Sequence, residues 1–147
     1  LRRLGAIALN GVQILPDREE CLETFQWLRI EVQQAKGEAL LMRVDRFEGL
    51  SDRELIDRFQ AARREDYAQL NSQAEELAQV LEADNHVYRE NLEKLYKQHT
   101  EIGRIDFFNC PEGIQVLASL DRIARLLSPP ESTVEIESEI IDRYRDK

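Results

Sequence analysis

The sequence has 147 residues, enough for one domain with a real core, and it is 42% hydrophobic and 33% charged with only six glycines and four prolines, a composition that favours helix. Its net charge of −9 counts against a protein that coats nucleic acid by charge alone, since phosphate binding needs local positive charge; the first sixteen residues are the exception, holding Arg2 and Arg3 and no acid. No apolar run approaches the ~20 residues that span a bilayer, no basic-then-apolar leader is visible, and Cys21 and Cys110 lack metal-type spacing, which points to reduced thiols in the cytoplasm.

The elements follow in chain order. Residues 1–4 read as the last turn of a helix, capped by Gly5 in the left-handed conformation. Two short apolar runs, 6–9 and 12–15, flank Asn10-Gly11. A two-residue type I′ loop needs positive φ at both positions, and Asn-Gly meets that demand best, so the pair marks a β-hairpin. Pro16 stops the second strand because it cannot donate to a ladder. Asp17 is an N-cap candidate with Glu20 at the capping-box position. Leu22, Phe25, Trp27, Leu28 and Val32 recur at helical spacing, which predicts a helix over 18–35 ended by Gly37. The stretch 38–47, with Ala39-Leu40-Leu41-Met42 and alternation through Val44, predicts a third strand, central or well covered.

Ser51 is the next cap candidate, with Glu54 three residues on. Leu55, Phe59, Ala62, Tyr67, Leu70, Ala74, Leu77 and Leu81 then recur at steps of three to five without glycine or proline. This is a long amphipathic helix of the kind that packs in a helical hairpin. Ala83-Asp84-Asn85-His86 is the turn candidate, and one unbroken helix is the alternative. Val87, Leu92, Leu95 and Tyr96 resume the period up to Gly103. An aromatic link, 104–111, leads to Pro111, suited to a helix's first turn, and to a last helix over 112–127 through Ile114, Leu117, Leu120 and Ile123. Ser128-Pro129-Pro130 ends it. The acidic tail then reads equally as a short strand at Val134 and Ile136 or as a short helix.

Catalytic signatures are lacking. There is no glycine-rich phosphate loop, no Gly-x-Ser-x-Gly elbow and no His-Glu-x-x-His helix. His86 and His99 read as solvated side chains rather than a metal pair. Arg63 and Tyr67 share a helix face, so the arginine could hold an anion beside the ring. The plainer reading pairs the arginines locally with Glu65 and Asp66 and packs Tyr67 against the sheet. Phe107 and Phe108 read as a plug between helices, with Arg104 and Asp106 pairing across it.

Taken together, Arg3-Leu4-Gly5-Ala6 leading into Gly11-Val12 and Leu15-Pro16, then Gly37-Glu38-Ala39-Leu40-Leu41, Phe59, Ala62-Arg63, Asp66-Tyr67 and Asp106-Phe107-Phe108 before Pro111, resemble the N-terminal region of the chromate-resistance regulatory protein ChrB. The resemblance runs from Arg2 to about Leu127, and it is the order and spacing of the pieces that make it specific. It implies a cytoplasmic, chromate-responsive transcriptional regulator with a ferredoxin-like βαββαβ unit and a helical extension, whose N-terminal basic residues contact operator DNA. Family members carry a strand and most of a helix before the position of Leu1 and a further domain after the last helix. This chain, which starts at Leu1, therefore reads as a fragment or a short member.

The resulting expectation is an α+β protein. An incomplete ferredoxin-like unit (hairpin, helix, strand) occupies 1–50 without its first strand. A long antiparallel helical hairpin and a further helix pack on it over 51–128, and an acidic tail spans 129–147. The missing strand would leave the hairpin and 39–44 with facing open edges, to be closed by direct pairing, by residues 133–136 or by a second copy of the chain. Arg2 and Arg3 are the DNA-contact candidates. Chromate is a tetrahedral dianion that needs converging arginines or helix N-termini, and Arg63, Arg64 and Arg104 are the anion-binding candidates. No cofactor, metal or membrane partner is expected, and a homodimer is. The alternatives are an interaction module that dimerises through the helical hairpin, or a chromate-related redox enzyme.

Overall fold

The computed structural model describes residues 1–80 and 85–127. A 3₁₀ turn at Arg2–Leu4 precedes strands β1 (Ile7–Leu9) and β2 (Val12–Ile14), and helices α1 (Glu19–Gln34), α2 (Asp52–Gln79), α3 (Asn85–Arg104) and α4 (Glu112–Leu127) follow. The protein is thus α+β and mostly helical. No helix of the described residues is long and apolar enough to cross a membrane. The chain forms two compact units: residues 1–64 with 103–110, and residues 65–102 with the chain from 111 onward. Helix α2 supplies its first half to one and its second half to the other.

In the first unit, Gly5 caps the opening turn at φ 85°, its N–H donating to the Arg2 carbonyl. Asn10 and Gly11 take φ of 50° and 84°, the pair of positive values that a type I′ loop requires. Strands β1 and β2 pair antiparallel, with Ile7 opposite Ile14 and Leu9 opposite Val12. Helix α1 begins one residue later than expected, and Asp17 does not cap it. Instead both Asp17 carboxylate oxygens accept from Arg43 Nη2, at 3.1 and 3.2 Å. That carboxylate is engaged by one guanidinium nitrogen and not by the helix N–H groups. The helix ends in a Schellman turn: Lys36 N–H donates to the Gln33 carbonyl and Gly37 N–H to that of Val32. The left-handed residue is Lys36, at φ 64°, not Gly37. Gly37 is needed for space, because a Cβ there would stand 2.9 Å from Val32 Cγ1. Trp27, expected on the buried face of α1, is 69% exposed.

The predicted third strand is not made. Among the described residues the sheet has two strands, and 38–44 runs without regular pairing up to an isolated bridge between Phe47 and Leu50. The segment is nevertheless stretched. Gly37 is held at the C-terminal end of α1 and Arg43 at Asp17 before its start. Among the described residues the segment has no neighbouring edge, and the four-stranded arrangement is not formed by them. Residues 133–136, one proposed filler, lie outside the described residues.

Ser51 does cap α2: its Oγ accepts from Glu54 N–H at 3.1 Å. In the second unit, Tyr67, Leu70 and Ala74 of α2, Tyr88, Leu92 and Leu95 of α3, and Val116, Leu120 and Ile123 of α4 are buried at helical spacing and form one core. Each fully buried large side chain among them contributes about 1.5–3 kcal/mol. Helix α2 ends at Gln79 and α3 begins at Asn85, and residues 81–84 lie outside the described residues. Of the turn candidate, residues 83 and 84 lie outside the described residues, while Asn85 and His86 fall in α3. Gly103 does not stop α3, which continues to Arg104. Helix α4 has the expected bounds but a rotated face: Ile114 is 78% exposed. The inward stripe is Gly113, Val116, Leu120 and Ile123, because Gly113 lies against the Tyr67 ring, where a Cβ would come within 2.8 Å of Tyr67 Cζ. Tyr67 therefore packs on α4, not on the sheet.

Candidate functional site

The first unit is organised around the loop 105–108, held from four directions. Gly5 approaches it so closely that a Cβ would stand 2.6 Å from Phe107 Cε2 and 2.9 Å from Ile105 Cβ. Arg18 donates from Nη2 to the Phe107 carbonyl at 2.6 Å, and its guanidinium carbon lies 5.6 and 5.5 Å from the centroids of Phe107 and Phe108. Phe59 of α2 meets Phe107 edge-on at 6.3 Å and Phe108 at 5.4 Å. Gln60 Nε2 donates to the Phe108 carbonyl at 3.0 Å, and Arg63 Nη1 to that of Ile105 at 3.2 Å. The two phenylalanines do act as a plug, and cation–π stacking at an exposed arginine adds about 0.5–1 kcal/mol. The sequence flagged the plug but not Arg18 or Gly5 as its partners, because those contacts join residues about ninety positions or more apart in the chain.

The loop closes on itself through Asp106. Its two carboxylate oxygens accept from the Cys110 N–H at 3.0 and 3.1 Å, and Cys110 Sγ lies 3.6 Å from the Gln60 carbonyl. Cys21 is likewise buried, and neither cysteine is in a disulfide. Burial pushes the Cys21 thiol up, with Arg18 pulling it down and Glu20 up. Such a thiol is a poor nucleophile.

The five predicted arginines all belong to this unit. Arg2 and Arg3 are exposed on the opening 3₁₀ turn, three and two residues before Gly5, which meets Phe107 at the turn's end. Arg63 is only 2% exposed, with one nitrogen committed to the Ile105 carbonyl. Arg64 and Arg104 are exposed. The structure thus brings the Arg63 guanidinium to the backbone beside Arg104 and leaves Arg64 on the outer face of α2. Charge is distributed unevenly. The first unit holds 12 basic and 12 acidic side chains and is neutral; the second holds 8 basic and 17 acidic ones and carries the whole −9.

In the second unit, His99 is not a solvated side chain. Its Nε2 lies 2.8 Å from the Gly113 carbonyl and its ring 5.6 Å from that of Tyr67. Tyr96 donates its hydroxyl to Asp121 at 2.6 Å. Burial, that hydrogen bond and the carboxylate charge push its pKa up to about 12. A cavity of about 360 Å³ between the end of α2 and the start of α3 is lined by Leu77, Val80, Tyr88 and Leu95 among others. Among the described residues no three His, Cys, Asp or Glu side chains are grouped to hold a metal ion.

No curated protein matches this chain, and no solved structure does. The family described as protein ChrB, N-terminal, matches residues 1–134. That match spans both compact units and includes the opening turn, the hairpin, the loop 105–108 and Gly113. The chain therefore belongs to the family of the N-terminal region of protein ChrB.

Proposed function

We propose that this chain is the DNA-linked N-terminal region of a chromate-responsive transcriptional regulator that acts in the cytoplasm. Family membership carries the reading, since that family is tied to the regulation of chromate resistance. The uneven charge supports it. The neutral first unit offers exposed arginines, while a unit of charge −9 would be repelled by phosphate. Arg2 and Arg3 are the operator contacts of this reading. Arg64 and Arg104 are the oxyanion contacts, with Arg63 as the buried residue that positions the backbone next to Arg104. The loop 105–108 touches both Gly5 and Arg63, so a shift at the oxyanion contacts reaches the turn bearing Arg2 and Arg3 through packed side chains. A ferredoxin-like sheet belongs to the same reading and requires one more strand beside 39–44.

Titration of the full-length regulator with its own promoter DNA, with and without chromate, tests this. Salt-sensitive binding relieved by chromate is the expected result. Replacing Arg2 and Arg3 by alanine lowers affinity and flattens the salt dependence by up to about two phosphate contacts. Binding that ignores salt and both arginines, or no binding at all, overturns the reading.

A further inference from the structure

The first unit leaves unusually large apolar side chains in water. Leu40 is 94% exposed, Met42 70% and Val44 46%, while Ala39 and Leu41 on either side of Leu40 are half-buried. From Ala39 to Met42 this is the in–out alternation of a strand; Arg43 is exposed as well, turned to Asp17, and the segment leads back along α1 from the Schellman turn to that pair. Among the described residues its backbone joins no ladder and makes none of the turn or loop backbone hydrogen bonds. A segment whose backbone is unpaired among the described residues and whose side chains form an aliphatic face is a template for strand addition.

We propose that this segment pairs antiparallel with the same segment of a second copy of the chain, about a two-fold axis at Met42. That register sets Met42 against Met42 and Leu40 against Val44 of the second copy. It also sets Glu38 against Arg46 of the second copy at both ends, Arg46 lying just past the bend at Asp45. Glu38 and Arg46 are exposed. Moving the axis to Leu41 would put Glu38 against Val44, so charge selects the first register. A two-fold contact of this kind is closed and self-complementary, the commonest form of oligomer. Leu40, Met42 and Val44 leave on the order of 400 Å² of apolar surface, as much as the largest patch of a typical monomer. A stable interface buries about 800 Å² per partner, so this strand pairing supplies about half of one.

The test uses the full chain in light scattering and sedimentation equilibrium over a wide concentration range. A dimer is expected. Met42→Arg, which places two like charges at the axis, weakens it at least tenfold without lowering the melting temperature, because the side chain points to solvent. Glu38→Arg weakens it as well, and adding Arg46→Glu restores it. A monomer at every concentration overturns the proposal, as does a dimer indifferent to Met42→Arg or a charge swap without rescue. Hydrogen exchange separates the remaining occupant. A monomer with protected amides at 39–44 would mean that another strand of the same polypeptide covers this face, and would overturn the proposal too.

Discussion

The two units spend their apolar side chains in opposite ways. Among the described residues, the second unit holds nine of the buried hydrophobic side chains, with Tyr67, Leu70, Leu92 and Leu120 among them, and the first holds five, three of which are Ala6, Cys21 and Cys110. Of the large hydrophobic residues left exposed among the described ones, the first holds nine and the second five. The second unit is a three-helix core, and its sequence carries the chain's net negative charge. The first is a neutral frame around one aromatic loop, with its best strand-forming segment unpaired. Folding within one chain satisfies the former, whereas the latter has the composition of a surface that is completed by association.

The largest effect is expected in the second unit. Leu120→Ala, at a position with no exposed surface, should cost about 3 kcal/mol in chemical denaturation. A loss below about 1 kcal/mol would mean that the three-helix core is not tightly packed. The next tier probes the glycines. Gly113→Ala drives a Cβ into the buried Tyr67 ring and should cost about 2 kcal/mol, while Ile114→Ala beside it should stay within about 0.5 kcal/mol; equal costs would refute the rotated face of α4. Gly5→Ala combines a positive φ with the clash at Phe107 and should also cost about 2 kcal/mol, this time by loosening the loop 105–108, visible as faster amide exchange at Asp106–Cys110.

Tyr96→Phe removes the hydrogen bond to Asp121 and should cost about 1 kcal/mol at neutral pH. It also carries a pH signature. The folded pKa is raised to about 12 from an ordinary value of 10, so between those values the folded state holds the proton that the unfolded state has lost. Its stabilisation is complete below pH 10 and is lost as pH rises through 12. Alkaline denaturation of the wild type should therefore be steeper there than that of Tyr96→Phe; parallel curves would show that the shift is absent. The smallest effect belongs to the first unit: Leu40→Ala should change monomer stability by no more than about 0.5 kcal/mol. A core-like penalty would place Leu40 inside the fold and erase the contrast between the units.

What could be read from the sequence was local. Asn10-Gly11, Gly5, the Ser51 cap and the bounds of α4 depend on neighbouring residues, and each took the predicted form. The errors lie where a distant partner decides. Asp17 was claimed by Arg43 rather than by its own helix. Trp27 fits the α1 periodicity yet faces solvent. The 38–47 segment has the right alternation, but a strand also needs an adjacent edge, which no single-residue preference supplies. In the candidate site, the aromatic plug was legible from Phe107-Phe108. The commitment of Arg63 to a backbone carbonyl was not, because that bond spans 42 positions.

The division of α2 between the units bears on the order in which the chain folds. The Arg18–Phe107 bond closes a separation of 89 residues, whereas Tyr67 and His99, in ring contact, are far closer in the chain. Each doubling of an open loop adds about 0.6 kcal/mol to its closure, and helix pairs with nearby partners form earliest. Once α2 and α3 have zipped together, residues 103–110 are delivered next to Phe59 and Arg63, and the long loop is already mostly closed. The helices of the second unit then serve as the nucleus, and the first unit condenses last. Mutational φ-values should be high at Leu70 and Leu92 and near zero at Gly5 and Phe107; the reverse pattern would put the nucleus in the hairpin. On this order, damage to the acidic unit slows folding, while damage to the neutral one mainly speeds unfolding.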